Sequence, residues 1–449
     1  MIRRLAWQLL VDGGPTPLRG IEALAIEHAL DARDRGLLRR IVATEVRRRG
    51  TLRALVRTLA TGRPRREIAL LLHVGLVQLF FLDKIPDHAA VSETVEVARE
   101  RLGESSARYV NAVLRESIRA RRVGASGDPR RDLVGRELHL EPVVFADPKE
   151  HPLLWAEDAL SMPAPLMKRW TKRHGEEQAL ELARIALEEP DLSLRVRTSL
   201  AQTERVTRDV LLTEFTAAGI AVRAGLHPDV LLAASDETES VLANERFVRG
   251  ELSVQGETAL RAAELVAARP GERVLDLCAA PGGKTAVLAE TGADVVACDV
   301  DETRLARLRS TLERLGLAAR VEVRLVSRAD ALELGRFDAV LVDAPCSNSG
   351  VLAGRPEARW RFERSELGLL ENLQAGLLAR ASAAVAPAGR LVYSTCSLEP
   401  EEDGRQVRSF LASHPEFTLA HELFALPAAR GSAGPIDGGY AALLCRAGA

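Results

Sequence analysis

The amino-terminal part of the chain carries the hydrophobic pattern of helices. From Ile2 to Arg122, apolar residues recur at spacings of three and four, and Gly, Pro or Asp separate the repeats. This spacing places apolar side chains on one face of each helix, so we predict an all-α domain over residues 1–125. The segment LLLHVGLVQLFFL is apolar nearly all round, and we expect it to form the buried central helix.

The middle of the chain changes this pattern twice. Residues 126–150 lose the helical periodicity and gather Gly, Pro and Asp, which is typical of a linker. Residues 151–245 then mix helical stretches such as EEQALELARIALEEP with the strand-like stretches LSLRVRT and AVRAGLHPDVLLAAS. We therefore predict a linker followed by a small α+β module.

Residues 246–449 follow a third pattern, in which apolar strands alternate with helices. The strand-like segments are ERVLDLCA, ADVVACDVD, VEVRLVS, FDAVLVDAP and GRLVYSTCS. This alternation predicts an α/β fold with a parallel sheet that helices cover on both faces. Ligands of such sheets bind outside the carboxyl ends of the strands, so we expect the functional site at that edge.

Composition and charge narrow the class of protein. The chain has 449 residues and five cysteines, which form no CxxC pair and no Cys/His cluster, so we expect neither a disulfide framework nor a metal site. No run approaches the roughly 18 apolar residues of a membrane span, and MIRRLAWQLL is too short for a signal peptide. We expect a cytoplasmic protein without a membrane partner.

The net charge of −2 hides a basic amino-terminal part. Residues 1–125 hold 23 Lys and Arg against 14 Asp and Glu, which favours a polyanion as partner. An incidentally basic, solvated surface explains the same excess.

The segment VLDLCAAPGGKT predicts a strand that runs into a glycine-rich turn and a helix. It contains neither the GxGxxG dinucleotide fingerprint nor the GxxxxGK[ST] phosphate loop. Gly282 and Gly283 still allow close approach of a ligand to the backbone, and Pro281 stiffens the turn. Asp276 is placed to accept a hydrogen bond from a cationic or amide group.

Two acidic residues follow the next predicted strands. Asp299 ends the second strand, where an acid commonly binds the ribose hydroxyls of an adenosine group, although it could instead cap the next helix, a task for which Asp301 is equally placed. Asp330 follows the third strand, and we expect it at the adenine edge. Together these positions fit a pocket for S-adenosylmethionine.

Three ordered motifs carry a resemblance to a known family. DLCAAPGGKT, DAPCSNSGVL followed by RPEARW, and STCSLEPEED resemble the signature motifs of the RNA 5-methylcytosine methyltransferases of the NOL1/NOP2/Sun family. The segment YVNAVLRES resembles the NusB-type RNA-binding domain that precedes the catalytic domain in ribosomal RNA members of this family. The likeness spans nearly the whole chain.

The resemblance implies an architecture and a set of site residues. It implies a Rossmann-like, S-adenosylmethionine-dependent methyltransferase domain over residues 246–449, behind a NusB-like domain and an α+β RNA-binding module. It also implies that the methyl donor is bound by Cys278, Ala279, Ala280, Pro281, Gly282, Gly283, Lys284, Asp299, Asp330 and Asp343. The catalytic residues implied are the nucleophile Cys396, Cys346 for product release, and Asp343 beside N3 and the exocyclic amine of the base.

The chemistry of cytosine explains why two thiols would be needed. Carbon 5 is a poor nucleophile, and a thiolate that adds to carbon 6 converts the ring into an enamine that attacks the methyl group. The saturated adduct is then released when a base removes the proton from carbon 5. Both Cys346 and Cys396 follow predicted strands of one sheet, so we expect them to converge. We expect the other three cysteines, Cys278, Cys298 and Cys445, to fill the core.

The chain also departs from the family pattern. SNSG replaces the usual SGTG or SATG, and DGGY lacks the aromatic pair of DGFF, so we expect a different loop shape and different packing beneath the cofactor. In RPEARW, Arg355, Arg359 and Trp360 are candidates for phosphate contact and base stacking. A Trp at a helix edge is as often simply packed.

We expect an RNA substrate with an unpaired or flipped target cytosine, because a base inside a duplex is out of reach. The favoured substrate is 16S ribosomal RNA, and tRNA or another RNA remains open. A non-catalytic RNA-binding or assembly factor is the alternative from another class, and a small-molecule methyltransferase would leave the second thiol unexplained. Basic residues placed to contact RNA, unless they form only a solvated face, are Arg3, Arg4, Arg39, Arg40 and Arg47 to Arg49. We expect a monomer with no obligate protein partner.

Overall fold

The computed structural model describes residues 1–197, 206–327, 335–431 and 434–448. The chain divides into two compact units. Unit 1 comprises Met1–Glu188 and the short segment Arg355–Phe362, and unit 2 comprises Glu189–Gly354 and Glu363–Ala449. The division into residues 1–125, 126–150, 151–245 and 246–449 remains a prediction.

Unit 1 is mainly helical, as the pattern of residues 1–125 predicts, and the helices predicted at the start of residues 151–245 also belong to it. Its helices are α1 Ile2–Asp12, α2 Ile21–Glu27, α3 Ala32–Leu59, α4 Arg66–Phe81, α5 Asp87–Leu102, α6 Glu104–Ala120, α7 Pro152–Ala159, α8 Ala164–His174 and α9 Glu176–Ile185. A short antiparallel ribbon, β1 Arg121–Val123 and β2 Leu138–Leu140, precedes α7. Helix α4 is the expected central helix, because its residues from Leu71 to Phe80 are all buried.

Arg355–Phe362 forms a short 3-10 segment that is part of unit 1. Arg359 is fully buried, and its guanidinium donates to the carbonyl oxygens of Ala186 at 2.6 Å, Arg47 at 3.4 Å and Ser161 at 3.5 Å. Trp360 donates from Nε1 to the Val46 carbonyl at 2.7 Å. The interpretation of Arg359 as a phosphate contact is therefore wrong, because a buried guanidinium with carbonyl acceptors is part of the core.

Unit 2 begins with a four-stranded antiparallel sheet and its helices. The elements are β3 Leu192–Val196, α10 Arg208–Ala217, β4 Val222–Ala224, β5 Val230–Ala233, α11 Thr238–Leu242, α12 Glu245–Val248 and β6 Leu252–Val254, and the strand order is β4-β5-β3-β6. The α+β pattern read from the sequence matches this sheet. Its last strand, β6, lies beyond the predicted module boundary at residue 245.

The rest of unit 2 is a seven-stranded sheet with helices on both faces. Its elements are α13 Glu257–Glu264, β7 Arg273–Asp276, α14 Gly283–Glu290, β8 Asp294–Asp299, α15 Glu302–Arg314, β9 Val321–Leu325, β10 Phe337–Asp343, α16 Arg364–Ala384, β11 Val385–Thr395, α17 Gly404–Ser413, β12 Phe417–Ala425 and β13 Gly439–Arg446. The order is β12-β13-β11-β10-β7-β8-β9. Pairing is parallel from β9 through β11, and β13 is antiparallel to both its neighbours.

Burial on both faces explains why the central strands are continuously apolar. In β10, Val340 and Val342 pack in one hydrophobic cluster, whereas Ala339 and Leu341 pack in the other. Successive side chains of a strand point to opposite faces, so both faces of the sheet are covered. This confirms the Rossmann-like α/β fold. Among the described helices, none is long and apolar enough to cross a membrane.

Candidate active site

The two motif cysteines lie at the carboxyl ends of neighbouring strands. Strands β10 and β11 pair in parallel, with Asp343 opposite Ser394, so the loops after them start at the same edge of the sheet. The structure brings Cys346 Sγ and Cys396 Sγ to 3.1 Å from each other. The convergence expected from the strand pattern is therefore present in the geometry.

Cys346 is held as a neutral thiol in this arrangement. Its hydrogen bond to Cys396 and its burial raise the pKa of Cys346 well above the usual value, and the negative charge of Glu402 adds to the effect. A second anion next to an existing one is disfavoured. The close approach of the two sulfur atoms therefore disfavours ionisation of both thiols at once.

Asn348 explains why the SNSG departure is tolerated. Its backbone is left-handed, with φ of 61°, a conformation that glycine adopts freely and that asparagine tolerates better than most residues. Its side chain then bridges the two cysteine loops, because Nδ2 donates to the Cys346 carbonyl at 2.7 Å and Oδ1 accepts from Cys396 Sγ at 3.3 Å. This contact would be absent with glycine or alanine at this position.

The DGGY departure changes the packing below the loops. A Cβ atom on Gly439 would lie 2.6 Å from the Thr395 carbonyl oxygen, so this backbone leaves no room for the side chain of the family pattern. The Tyr440 ring instead packs edge-on against Tyr393, with centroids 6.5 Å apart, and its hydroxyl donates to Glu422 at 2.7 Å.

An ion pair lies beside the two sulfur atoms. Lys284 Nζ is 2.7 Å from Asp343 Oδ2, and Asp343 Oδ1 accepts from Ser394 Oγ at 2.9 Å. Burial alone would lower the pKa of Lys284, but Asp343 and the neighbouring Cys396 raise it above the usual value. A charged ammonium at this place favours a thiolate nearby.

The glycine-rich turn between β7 and α14 uses a backbone conformation that glycine allows. Gly282 is left-handed, with φ of 105°, and forms the amino-terminal boundary of α14. Asp299 Oδ2 accepts from the Ala280 amide at 3.3 Å and lies 3.3 Å from Arg304. Asp301, rather than Asp299, caps α15, because it accepts from the amides of that helix's first turn. This leaves Asp299 facing the glycine-rich turn.

Several buried polar atoms near this turn have no hydrogen-bond partner among the described residues. They are Asp276 Oδ1, Gln255 Nε2 and Asp437 Oδ1. The Gln255 side chain lies 3.8 Å from the Cβ position of Gly283, and Asp437 is close enough to Lys284 to be influenced by its charge. A buried polar group without a partner costs about 1–3 kcal/mol, so these atoms fit a ligand that carries donors and acceptors, such as the amino-acid end of S-adenosylmethionine.

Asp276 is the most strongly perturbed of these groups. Its Oδ2 accepts from Thr285 Oγ1 at 2.7 Å, and burial, together with the negative charges of Asp343 and Asp299, raises its pKa to about 7. Sequence reasoning had named Asp276 as an acceptor but had missed Gln255 and Asp437. Gln255 lies outside the three motifs, and Asp437 begins the DGGY segment, for which the sequence indicated a change of packing but no role for this side chain.

The remaining predicted residues are Cys278, Cys298, Cys445 and Asp330. Cys298 is fully buried in the sheet core, and Cys278 packs against the same cluster, while Cys445 is part of β13. Asp330 lies outside the described residues. No group of three or more His, Cys, Asp or Glu side chains suited to a metal ion occurs in the described ranges.

Comparison with known proteins gives the family. The family model described as 16S rRNA methyltransferase RsmB/F matches residues 263–431, and the NusB family model matches residues 3–119. The ribosomal RNA small subunit methyltransferase B of Vibrio cholerae is 33% identical over 436 residues, which cover 94% of this chain and 92% of that protein. The probable ribosomal RNA small subunit methyltransferase B of Bacillus subtilis is 31% identical over 353 residues, covering 77% and 72%.

Solved structures agree at the level of the fold. The crystal structure of PH0851 aligns with a TM-score of 0.73 at 24% identity, covering 99% of this chain and 98% of that chain. A methyltransferase homolog from Pyrococcus horikoshii aligns at 0.54 and 25% identity, covering 66% and 99%. Because two relatives above 30% identity match most of their length, the chain belongs to the 16S rRNA methyltransferase RsmB/F family.

Proposed function

We propose that this RNA methyltransferase transfers the methyl group of S-adenosylmethionine to carbon 5 of a cytosine in 16S ribosomal RNA. The observation that carries the proposal is the 3.1 Å approach of Cys346 Sγ and Cys396 Sγ at the carboxyl edge of the sheet. A methyl transfer to nitrogen or oxygen would need no thiol. Two thiols in reach of one ring fit covalent activation followed by release.

In the proposed first step, the Cys396 thiolate adds to carbon 6 of the cytosine. The Lys284 ammonium stabilises the thiolate before the attack, since Cys396 lies within its electrostatic reach. Asp343 is proposed to contact N3 and the exocyclic amine, where charge develops as the ring is attacked. The bound donor supplies the electrophilic methyl group, which carbon 5 of the activated ring takes up.

In the proposed second step, Cys346 removes the proton from carbon 5, and the electron pair of that bond expels Cys396 as a thiolate. The raised pKa of Cys346 depends first on its hydrogen bond to Cys396. Once Cys396 is bonded to carbon 6, its sulfur is a neutral thioether and no longer carries the negative charge of a thiolate. The pKa of Cys346 then falls, so its thiol can release its proton to solvent and act as a thiolate base at the stage that needs one.

We propose that the methyl donor lies across the glycine-rich turn. Cys278 to Lys284 would line it with backbone groups, Asp299 and Asp330 would bind its ribose and adenine, and Asp343 would lie near the transferred methyl group. The support for this placement is the glycine-rich turn facing Asp299 and the unpartnered buried atoms around it. No metal is invoked.

The RNA substrate is proposed from the relatives, whose names specify ribosomal RNA of the small subunit. The NusB match of residues 3–119 supports a role for unit 1 in binding RNA. A cytoplasmic location and a monomeric state stay predictions. Methylation of tRNA or another RNA, and a purely non-catalytic assembly role, are the alternatives to be tested.

The test is incubation with radiolabelled S-adenosylmethionine and, in parallel, free 16S RNA, assembled small subunits and tRNA. We expect label in one cytosine of 16S RNA, mapped as 5-methylcytosine by bisulfite sequencing. Label in tRNA alone would show that the substrate is tRNA rather than 16S RNA. No label in any RNA would favour the non-catalytic alternative.

A further inference from the structure

A buried carboxylate outside the proposed catalytic set contacts both cysteine loops. Glu402 follows β11 and is fully buried. Its Oε1 accepts from the Ser347 amide at 2.8 Å, and its Oε2 accepts from Ser347 Oγ and from Ser397 Oγ, each at 2.5 Å. Ser347 directly follows Cys346, and Ser397 directly follows Cys396. One carboxylate therefore accepts hydrogen bonds from the residue next to each sulfur atom.

Further hydrogen bonds fix this carboxylate in place. Gln374 of α16 donates from Nε2 to Glu402 Oε1 at 3.0 Å and to the Pro345 carbonyl at 2.9 Å. Ser349 Oγ lies 3.3 Å from Ser397 Oγ and accepts from the Leu398 amide at 2.8 Å. An ionised carboxylate can only accept hydrogen bonds, and here it accepts them from Ser347, Ser397 and Gln374. The two loops are cross-linked on one side of the sulfur atoms.

We propose that Glu402 is a positioning residue that joins the Cys346 loop to the Cys396 loop and so sets the distance between the two sulfur atoms. The inference rests on the proposed function, because only a two-thiol reaction needs that distance to be fixed. Cys346 must reach a proton on the ring to which Cys396 is already bonded. A displacement of about 1 Å in such a geometry can cost roughly a hundredfold in rate.

The same carboxylate also acts on the charge of the thiol pair. The titratable groups that face the two sulfur atoms are Lys284 of α14, Asp343 at the end of β10, Tyr393 of β11 and Glu402. Of these, Glu402 contributes to the raised pKa of Cys346. Replacing it by a neutral group therefore lowers that pKa.

The test compares Glu402→Gln with Glu401→Gln in the full-length protein. Glutamine keeps the size of the side chain but removes its charge and replaces one acceptor oxygen by a donor amide. Glu401 is the neighbouring acid, and it forms an ion pair with Arg405 at 3.5 Å. We expect Glu402→Gln to lower kcat on 16S RNA about tenfold or more, with KM for S-adenosylmethionine changed by less than about twofold.

Two readouts do not depend on methyl transfer. Phenylarsine oxide bridges two thiols only when they lie close together, and we expect its affinity to fall about tenfold in Glu402→Gln and to stay unchanged in Glu401→Gln. The pH profile of Cys346 alkylation by iodoacetamide, read by mass spectrometry, should shift to lower pH in Glu402→Gln. Unchanged arsenical affinity together with an unchanged profile would overturn the inference.

A milder variant covers the case in which Glu402→Gln does not fold. Ser397→Ala removes one of the four hydrogen bonds, and we expect an intermediate loss of arsenical affinity. In the double variant the losses should be less than multiplicative, because both changes break the same link. Failure of the proposed function would show as a wild-type protein that methylates no cytosine, whereas failure of this inference leaves wild-type methylation intact and Glu402→Gln equal to Glu401→Gln.

Discussion

At the scale of single residues, the two thiols are expected to give different phenotypes. Cys396→Ala removes the nucleophile and should abolish methyl transfer. Cys346→Ala leaves the first step intact but removes the base, so the covalent protein–RNA adduct should accumulate. Denaturing gel electrophoresis with labelled 16S RNA detects the adduct as a slowly migrating band. The roles would be reversed if the band formed with Cys396→Ala, and the double variant serves as the negative control.

The raised pKa of Asp276 predicts how the stability of the folded protein depends on pH. Its pKa of about 7 in the folded protein lies above the usual aspartate value of 3.8, so between these two pH values the folded protein holds a proton that the unfolded chain has released. This cost to stability is fully present above pH 7 and declines as the pH falls toward 4. In the ligand-free protein, the free energy of unfolding of Asp276→Asn minus that of the wild type should therefore be larger at pH 8 than at pH 6.

Urea denaturation at both pH values measures this difference. Asp294→Asn, a change at an exposed residue at the start of β8, is the control and should follow the wild type. Equal differences at pH 6 and pH 8 for Asp276→Asn would show that this carboxyl does not titrate in that range.

The sequence predicted the positions of site residues whose partners also lie in motifs. It did not predict the positions of site residues whose partners lie elsewhere in the chain. Cys346, Cys396 and Asp343 could be placed together because each lies at or just after the carboxyl end of a strand in a recognisable parallel sheet. Glu402 stands inside STCSLEPEED, but its partner Gln374 belongs to a helix that carries no motif. Gln255 and Asp437 meet the glycine-rich turn only through long-range packing, which no local pattern encodes.

At the scale of elements, the start of α14 depends on one backbone conformation. Gly282 has φ of 105°, and a Cβ atom there would lie 3.3 Å from Leu308 Cγ. We expect Gly282→Ala to destabilise the turn by about 1–2 kcal/mol and to weaken binding of S-adenosylhomocysteine in calorimetry. Gly376→Ala, in the interior of α16 with open space around it, is the matched control and should leave binding unchanged. Equal binding by both variants would contradict the requirement.

The strand pattern predicted the parallel strands well and missed the antiparallel ones that follow. The central strands are buried on both faces, so their apolar runs are uninterrupted. Strand β12 has mostly exposed side chains between its buried first residue and its end, and its sequence therefore lacks a strong strand signal. Its partner β13 is apolar, but without a recognisable neighbour its segment did not stand out.

At the scale of the whole molecule, the assignment of Arg355–Phe362 to unit 1 gives a stability prediction. Arg359→Ala removes a donor shared by three carbonyl oxygens in a fully buried position. We expect a loss of about 2–4 kcal/mol in the unfolding free energy, measured by urea denaturation. Arg361→Ala, at an exposed position of the same segment, should change it by less than about 0.5 kcal/mol. A stable Arg359→Ala protein with weakened RNA binding would restore the phosphate-contact interpretation.

The return of the chain to unit 1 at Arg355–Phe362 has a consequence for biosynthesis. The amino-terminal helices leave the ribosome first, yet the arginine that fills their interior is translated only after more than 150 further residues beyond Glu188. Domains commonly fold as they emerge from the ribosome. Here, however, unit 1 cannot complete its interior until the segment Arg355–Phe362 has been translated. A nascent chain stalled before residue 355 should therefore be more sensitive to protease in its first 188 residues than one stalled after residue 362.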